Sequence, residues 1–145
     1  MSSDKVQKAV AYFDKGFCCS QAIFAAFAPD YGISEDMALR IAAQFGGGAR
    51  KGEMCGSVSG ALMVLGLKYG FSDVKERDKI DKAHSKAAEF MERFIEAKGT
   101  VVCRELLGYD ISKEIEIIRE IGLFDSVCPQ MVRCAAEIVG KMMEE

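Results

Sequence analysis

From Val6 onward the apolar residues of this chain return every three or four positions, and no stretch alternates as a strand would. With only two prolines to interrupt it, that rhythm limits the chain to packed helices. Ser3 can cap a first helix carrying Val6, Ala9, Val10 and Phe13, with Gly16 at its end. A second opens near Cys18 and carries Ala22, Ile23, Ala26 and Phe27 as far as Pro29 and Gly32. Ser34 with Glu35 and Asp36 starts a third, with Met37, Ile41 and Phe45 along its apolar face. After a glycine loop, Gly46–Gly52, a fourth runs from around Cys55 to near Gly70; it is apolar nearly all round and so expected at the centre. Ser72 heads a long fifth helix with Ile80, Ala87, Met91 and Phe94 inward, and the mixed charges from Lys75 to Lys82 read as its solvated face. Shorter helices follow over Val102–Leu107 and Ser112–Ile121, and a last one over Cys128–Met143. The expectation is all-α: a single-domain helical bundle over residues 1–145, of about six to eight helices, with a central apolar helix.

A chain of 145 residues can bury about two-thirds of its unfolded surface in one core. The net charge of −3 argues against nucleic acid as a partner, since such domains carry a basic surplus on one face. The opening MSSDKVQKAV is charged and polar where a secretory segment would be apolar. The longest uncharged apolar stretch, Val58–Leu67, is about half of what a membrane crossing needs. The expected protein is soluble and cytoplasmic, without membrane insertion.

Six cysteines are the unusual quantity. In a reducing compartment they are free thiols, metal ligands or redox centres. Cys18, Cys19, Cys55, Cys103 and Cys128 all fall at or near expected helix N-termini, and Pro129 after Cys128 suits a first helical turn. Unpaired N–H groups and the macrodipole favour a thiolate there. The effect is up to about 1 kcal/mol, enough to raise the thiolate fraction at neutral pH from about 3% to about 14%. Arg50, Lys51 and Arg104 could add to it. Only Cys134 lies in a helix body, where it reads as an apolar filler.

The separations of 36, 48 and 25 residues between Cys19, Cys55, Cys103 and Cys128 fit no zinc ribbon, and there is no C-x-x-C. A shared site would have to be assembled by packing, one ligand from each helix start. Four thiolates would suit an iron–sulfur cluster or zinc. Two other readings stand beside that one. One is metal-free thiol–disulfide exchange through a long-range pair such as Cys55 and Cys103, because adjacent Cα atoms at about 3.8 Å are too close for the usual disulfide span. The other is a structural or interaction domain whose cysteines only pack.

Gly46-Gly47-Gly48 with Arg50 and Lys51 matches neither phosphate-loop nor dinucleotide template, and reads as a loop approaching other backbone closely. Gly56 and Gly60, one turn apart, read as tight helix packing. His84, the only histidine, lacks a recognisable partner, and the eight methionines read as core filling.

The stretch CGSVSGALMVLGLKYG, with FGGG before it and CCSQAIFAAF upstream, resembles the C_GCAxxG_C_C family of redox-active proteins. CRELLGYD and CPQMVRCAAEIV continue the resemblance in family order, over nearly the whole chain. It implies a small soluble redox protein with four family cysteines, matched here by Cys19, Cys55, Cys103 and Cys128. Cys19 is chosen over Cys18 because it directly precedes Ser20-Gln21-Ala22; Cys18 remains the alternative. The family's C-G-A-x-x-G reads Cys55-Gly56-Ser57-Val58-Ser59-Gly60, with serine in place of alanine. A related domain carries the iron–sulfur part of split-Soret cytochromes. The resemblance therefore implies an iron–sulfur cluster, most simply 2Fe–2S, used for electron transfer or redox sensing. The redox partner, the choice of metal or disulfide, and any homo-oligomer are left open, as is enzymatic activity.

Overall fold

The computed structural model describes residues 2–145. Among them the elements are α1 (Ser2–Asp14), α2 (Cys19–Phe27), α3 (Glu35–Ala42), α4 (Gly56–Tyr69), α5 (Arg77–Lys98), α6 (Cys103–Leu107), α7 (Ile111–Glu120), α8 (Leu123–Ser126) and α9 (Cys128–Glu144). The chain is all-α, as its periodicity requires. Seven of these helices have eight residues or more, and α6 and α8 are short turns of helix. The only β-type pairing among the described residues is one isolated antiparallel bridge, Met54 with Val102. No described helix is long and apolar enough to cross a membrane.

The core is built around α2 and α4. Nearly every residue of α2 is buried, from Cys19 and Ser20 through Ile23, Phe24 and Phe27. Helix α2 packs against α1, α3, α4 and α9, and α4 packs against α2, α5 and α9. Gly56 and Gly60 let α2 and α4 close on each other: a Cβ on Gly60 would lie 2.9 Å from the Ser20 carbonyl oxygen. That approach brings the start of α4 beside the start of α2.

Helix α3 differs from its expected orientation. Ser34 does cap it, its Oγ accepting the Met37 N–H at 3.1 Å. Yet Met37, Ile41 and Phe45 are 46%, 43% and 42% exposed, while Ala38 and Ala42 are buried. Two polar bonds from α2 explain this. The Ser20 hydroxyl donates to the Ala42 carbonyl at 2.7 Å, and the Gln21 amide donates to the Leu39 carbonyl at 3.0 Å. Bonds to main-chain carbonyls need the helices close together, and alanine permits that where isoleucine does not.

Helix α5 begins at Arg77 rather than near Ser72, because Asp73 first closes a turn by accepting the Lys75 N–H at 2.9 Å. Phe90 and Phe94 are its buried residues; Ile80, Ala87 and Met91 are half-buried. His84 is exposed and meets Phe71 edge-on, with ring centroids 5.7 Å apart.

Candidate functional site

Five of the six cysteines stand at four helix starts. Cys18 caps α2 and Cys19 is its first residue, Cys55 caps α4, and Cys103 and Cys128 open α6 and α9. The α2 start is tied down by Gln21, whose Oε1 accepts the Cys18 N–H at 3.0 Å. The Cys18 sulfur lies 3.3 Å from Ser20 Oγ and 3.8 Å from the Ala43 carbonyl.

The bridge at Met54 and Val102 brings α4 and α6 together. Cys55 N–H donates to the Val101 carbonyl at 2.7 Å, and Cys103 N–H donates to the Glu53 carbonyl at 2.5 Å. Two cysteines 48 positions apart are thereby set on neighbouring strands of chain. Sequence periodicity could not have found this pairing, since three residues on each side are too few to show alternation.

The glycine loop lies against the same cysteines. Gly48 has φ +63, and a Cβ there would fall 2.3 Å from the Glu53 nitrogen and 2.9 Å from the Cys103 Cβ. A Cβ on Gly46 would fall 2.5 Å from the Cys18 Cβ. Ala49 and Arg50 follow in the left-handed region, at φ 56 and 64. That conformation costs each on the order of 1 kcal/mol or more. It lays the Arg50 guanidinium over Gly46 and Gly47.

Cys18, Cys19, Cys55, Cys103 and Cys128 all line one cavity of about 360 Å³. Phe13, Phe17, Leu106, Leu107, Phe124 and Met131 form much of its wall, and Arg50 reaches it from the loop. Arg104, the other cation expected near a thiol, turns instead to the Gly52 carbonyl and the Glu53 carboxylate, each at 3.1 Å. Cys134 lies elsewhere, beside Val10 and Lys98.

The thiols act on one another electrostatically: Cys128 raises Cys19, and Cys19 raises both Cys55 and Cys103. The Cys128 side chain, then burial, pushes the Cys19 thiol well above its ordinary value. Burial pushes Cys55 and Cys103 up to about 12. Arg50 pulls Cys103 down, without outweighing burial. For Cys19, Cys55 and Cys103 the increased thiolate fraction expected from helix starts is therefore overturned. A helix terminus contributes up to about 1 kcal/mol, and losing water around a charge costs more. As free thiols, Cys19, Cys55 and Cys103 are protonated and weak nucleophiles at neutral pH.

All six cysteines are free of disulfide bonds. Among the described residues, no three histidine, cysteine, aspartate or glutamate side chains are arranged to hold one metal ion. Cys18, Cys19, Cys55, Cys103 and Cys128 are the side chains of this cavity whose chemistry could hold a soft metal or an iron–sulfur group. Ser57 is a feature of this site that the sequence showed only as a departure from C-G-A-x-x-G. Its hydroxyl is fully buried and makes no hydrogen bond, and it pulls the Cys19 and Cys55 thiols down.

Comparison with known families finds one whose model matches residues 17–142, a span holding all six cysteines; its description is "Putative redox-active protein (C_GCAxxG_C_C)". No curated protein and no solved structure matches the chain.

Proposed function

The chain belongs to the C_GCAxxG_C_C family, and from that premise we propose that it holds an iron–sulfur cluster, 2Fe–2S, on Cys19, Cys55, Cys103 and Cys128 for electron transfer or redox sensing. The observation that carries this reading is the meeting of four buried thiols, from four separate helix starts, at one cavity. When bound, such a cluster supplies a one-electron couple. The chain's own residues supply the rest. The first-turn N–H groups of Ser57 and Val58 favour the deprotonated form of Cys55. Arg50 brings positive charge toward Cys103, and the aromatic and aliphatic walls keep water from the sulfurs.

Anaerobic reconstitution tests the proposal. Iron and acid-labile sulfide in equal amounts, with visible absorbance that bleaches on reduction, are expected. Protein that stays colourless and iron-free overturns it. That Cys128 acts on Cys19 more strongly than any other group does favours a second reading, metal-free thiol–disulfide exchange by that pair. Mild oxidation followed by mass spectrometry would then show these two cysteines linked and two thiols lost. Burial that keeps Cys19 protonated weighs against this alternative.

A further inference from the structure

Two serines are fully buried among the described residues, and they differ in one respect. The Ser20 hydroxyl donates to the Ala42 carbonyl at 2.7 Å, whereas the Ser57 hydroxyl has no partner. A stranded hydroxyl is costly, and an alanine at this position would avoid the cost. Ser57 stands in the first turn of α4, two residues after the Cys55 cap. The starts of α4 and α2 meet here, since a Cβ on the neighbouring Gly56 would fall 3.1 Å from the Ser20 nitrogen, and the Ser57 side chain pulls both the Cys19 and Cys55 thiols down. A thiol sulfur is a weak acceptor, so neither satisfies the hydroxyl while protonated. A sulfur that has given up its proton to a metal is a far stronger acceptor.

We infer that the Ser57 hydroxyl donates a hydrogen bond to the Cys19 and Cys55 sulfurs of the loaded centre and thereby raises its reduction potential. This rests on the cluster reading and deepens it. Reduction adds one electron to the cluster and more negative charge to its sulfurs, so the hydrogen bond is stronger in the reduced state. Ser57 is then a positioning residue acting through the ligand sulfurs, not a ligand.

The experiment compares wild type with Ser57→Ala, using Ser59→Ala as a control. Ser59 is one turn of chemistry away in kind: its hydroxyl already donates to the Gly56 carbonyl at 3.3 Å. The potential is read by spectroelectrochemistry on reconstituted protein, and stability by denaturant unfolding of metal-free protein. Ser57→Ala is expected to shift the reduced-to-oxidised equilibrium about tenfold toward oxidised, a fall of about 59 mV for one electron. Ser59→Ala should leave the potential unchanged, and metal-free Ser57→Ala should be no less stable than wild type. A loaded Ser57→Ala with wild-type potential overturns this inference alone. So does a metal-free Ser57→Ala that unfolds at lower denaturant, because the hydroxyl would then have an internal partner. Wild type that takes up no cluster overturns both readings.

Discussion

Cys55 and Cys134 are both raised by burial, but their surroundings differ. Cys55 sits at a helix start with four other cysteines at the edge of one apolar cavity. Cys134 is half-buried in the body of α9, in a separate groove with Lys98 and Glu137, whose charges act on it in opposite directions. Burial of a thiol is thus not what distinguishes the candidate site. What distinguishes it is convergence: four helix starts bring five cysteines to the same cavity.

The strongest way to break this contrast is to exchange serine for cysteine on each side of it. Cys19→Ser removes a proposed ligand and is expected to abolish iron and sulfide uptake on reconstitution, while Cys134→Ser should retain full uptake. Equal loss in both variants, or in neither, would erase the distinction. Gly48→Ala should have the next largest effect, because its Cβ would strike the Glu53 nitrogen and its φ is positive. A loss of about 1–3 kcal/mol is expected in denaturant unfolding. Gly66→Ala, with open space around its Cβ, should be neutral or stabilising by up to about 1 kcal/mol.

A pH titration of metal-free protein sharpens the contrast further. Cys55 and Cys103 rise from 9.0 to about 12 in the folded chain, so the unfolded chain ionises first as pH climbs. Their contribution to stability is fully present below 9.0 and is lost as pH rises through about 12. Unfolding followed across that range should show this decline, and a Cys55→Ser, Cys103→Ser double variant should flatten it. Cys134→Ser should alter the slope less. The smallest effect belongs to Ile41→Ser on α3. Its side chain is exposed, so thermal unfolding should change by under about 0.5 kcal/mol. A loss near that of a core truncation would return Ile41 to the interior.

Local signals could be read from the chain because their physics is local. Ser34 caps α3 through a bond three residues long, and Pro129 stands where α9 needs no N–H. The glycine loop was legible as a close approach, although not as one that meets Cys18 and Cys103. The orientation of α3 was not legible. Its apolar stripe and its alanine stripe both repeat at helical spacing, and only the bonds from Ser20 and Gln21 select the second.

The amino-acid order alone thus settled which segments are helical and placed five cysteines at their beginnings, because periodicity and capping act over a few residues. Folding decided the rest. It brought the starts of α2, α4, α6 and α9 to one cavity, set Cys55 and Cys103 beside the Met54–Val102 bridge, and stranded the buried Ser57 hydroxyl. It also reversed the expected thiol chemistry. A helix terminus acts on a sulfur from its own turn, whereas the desolvation that overwhelms it comes from residues dozens of positions away.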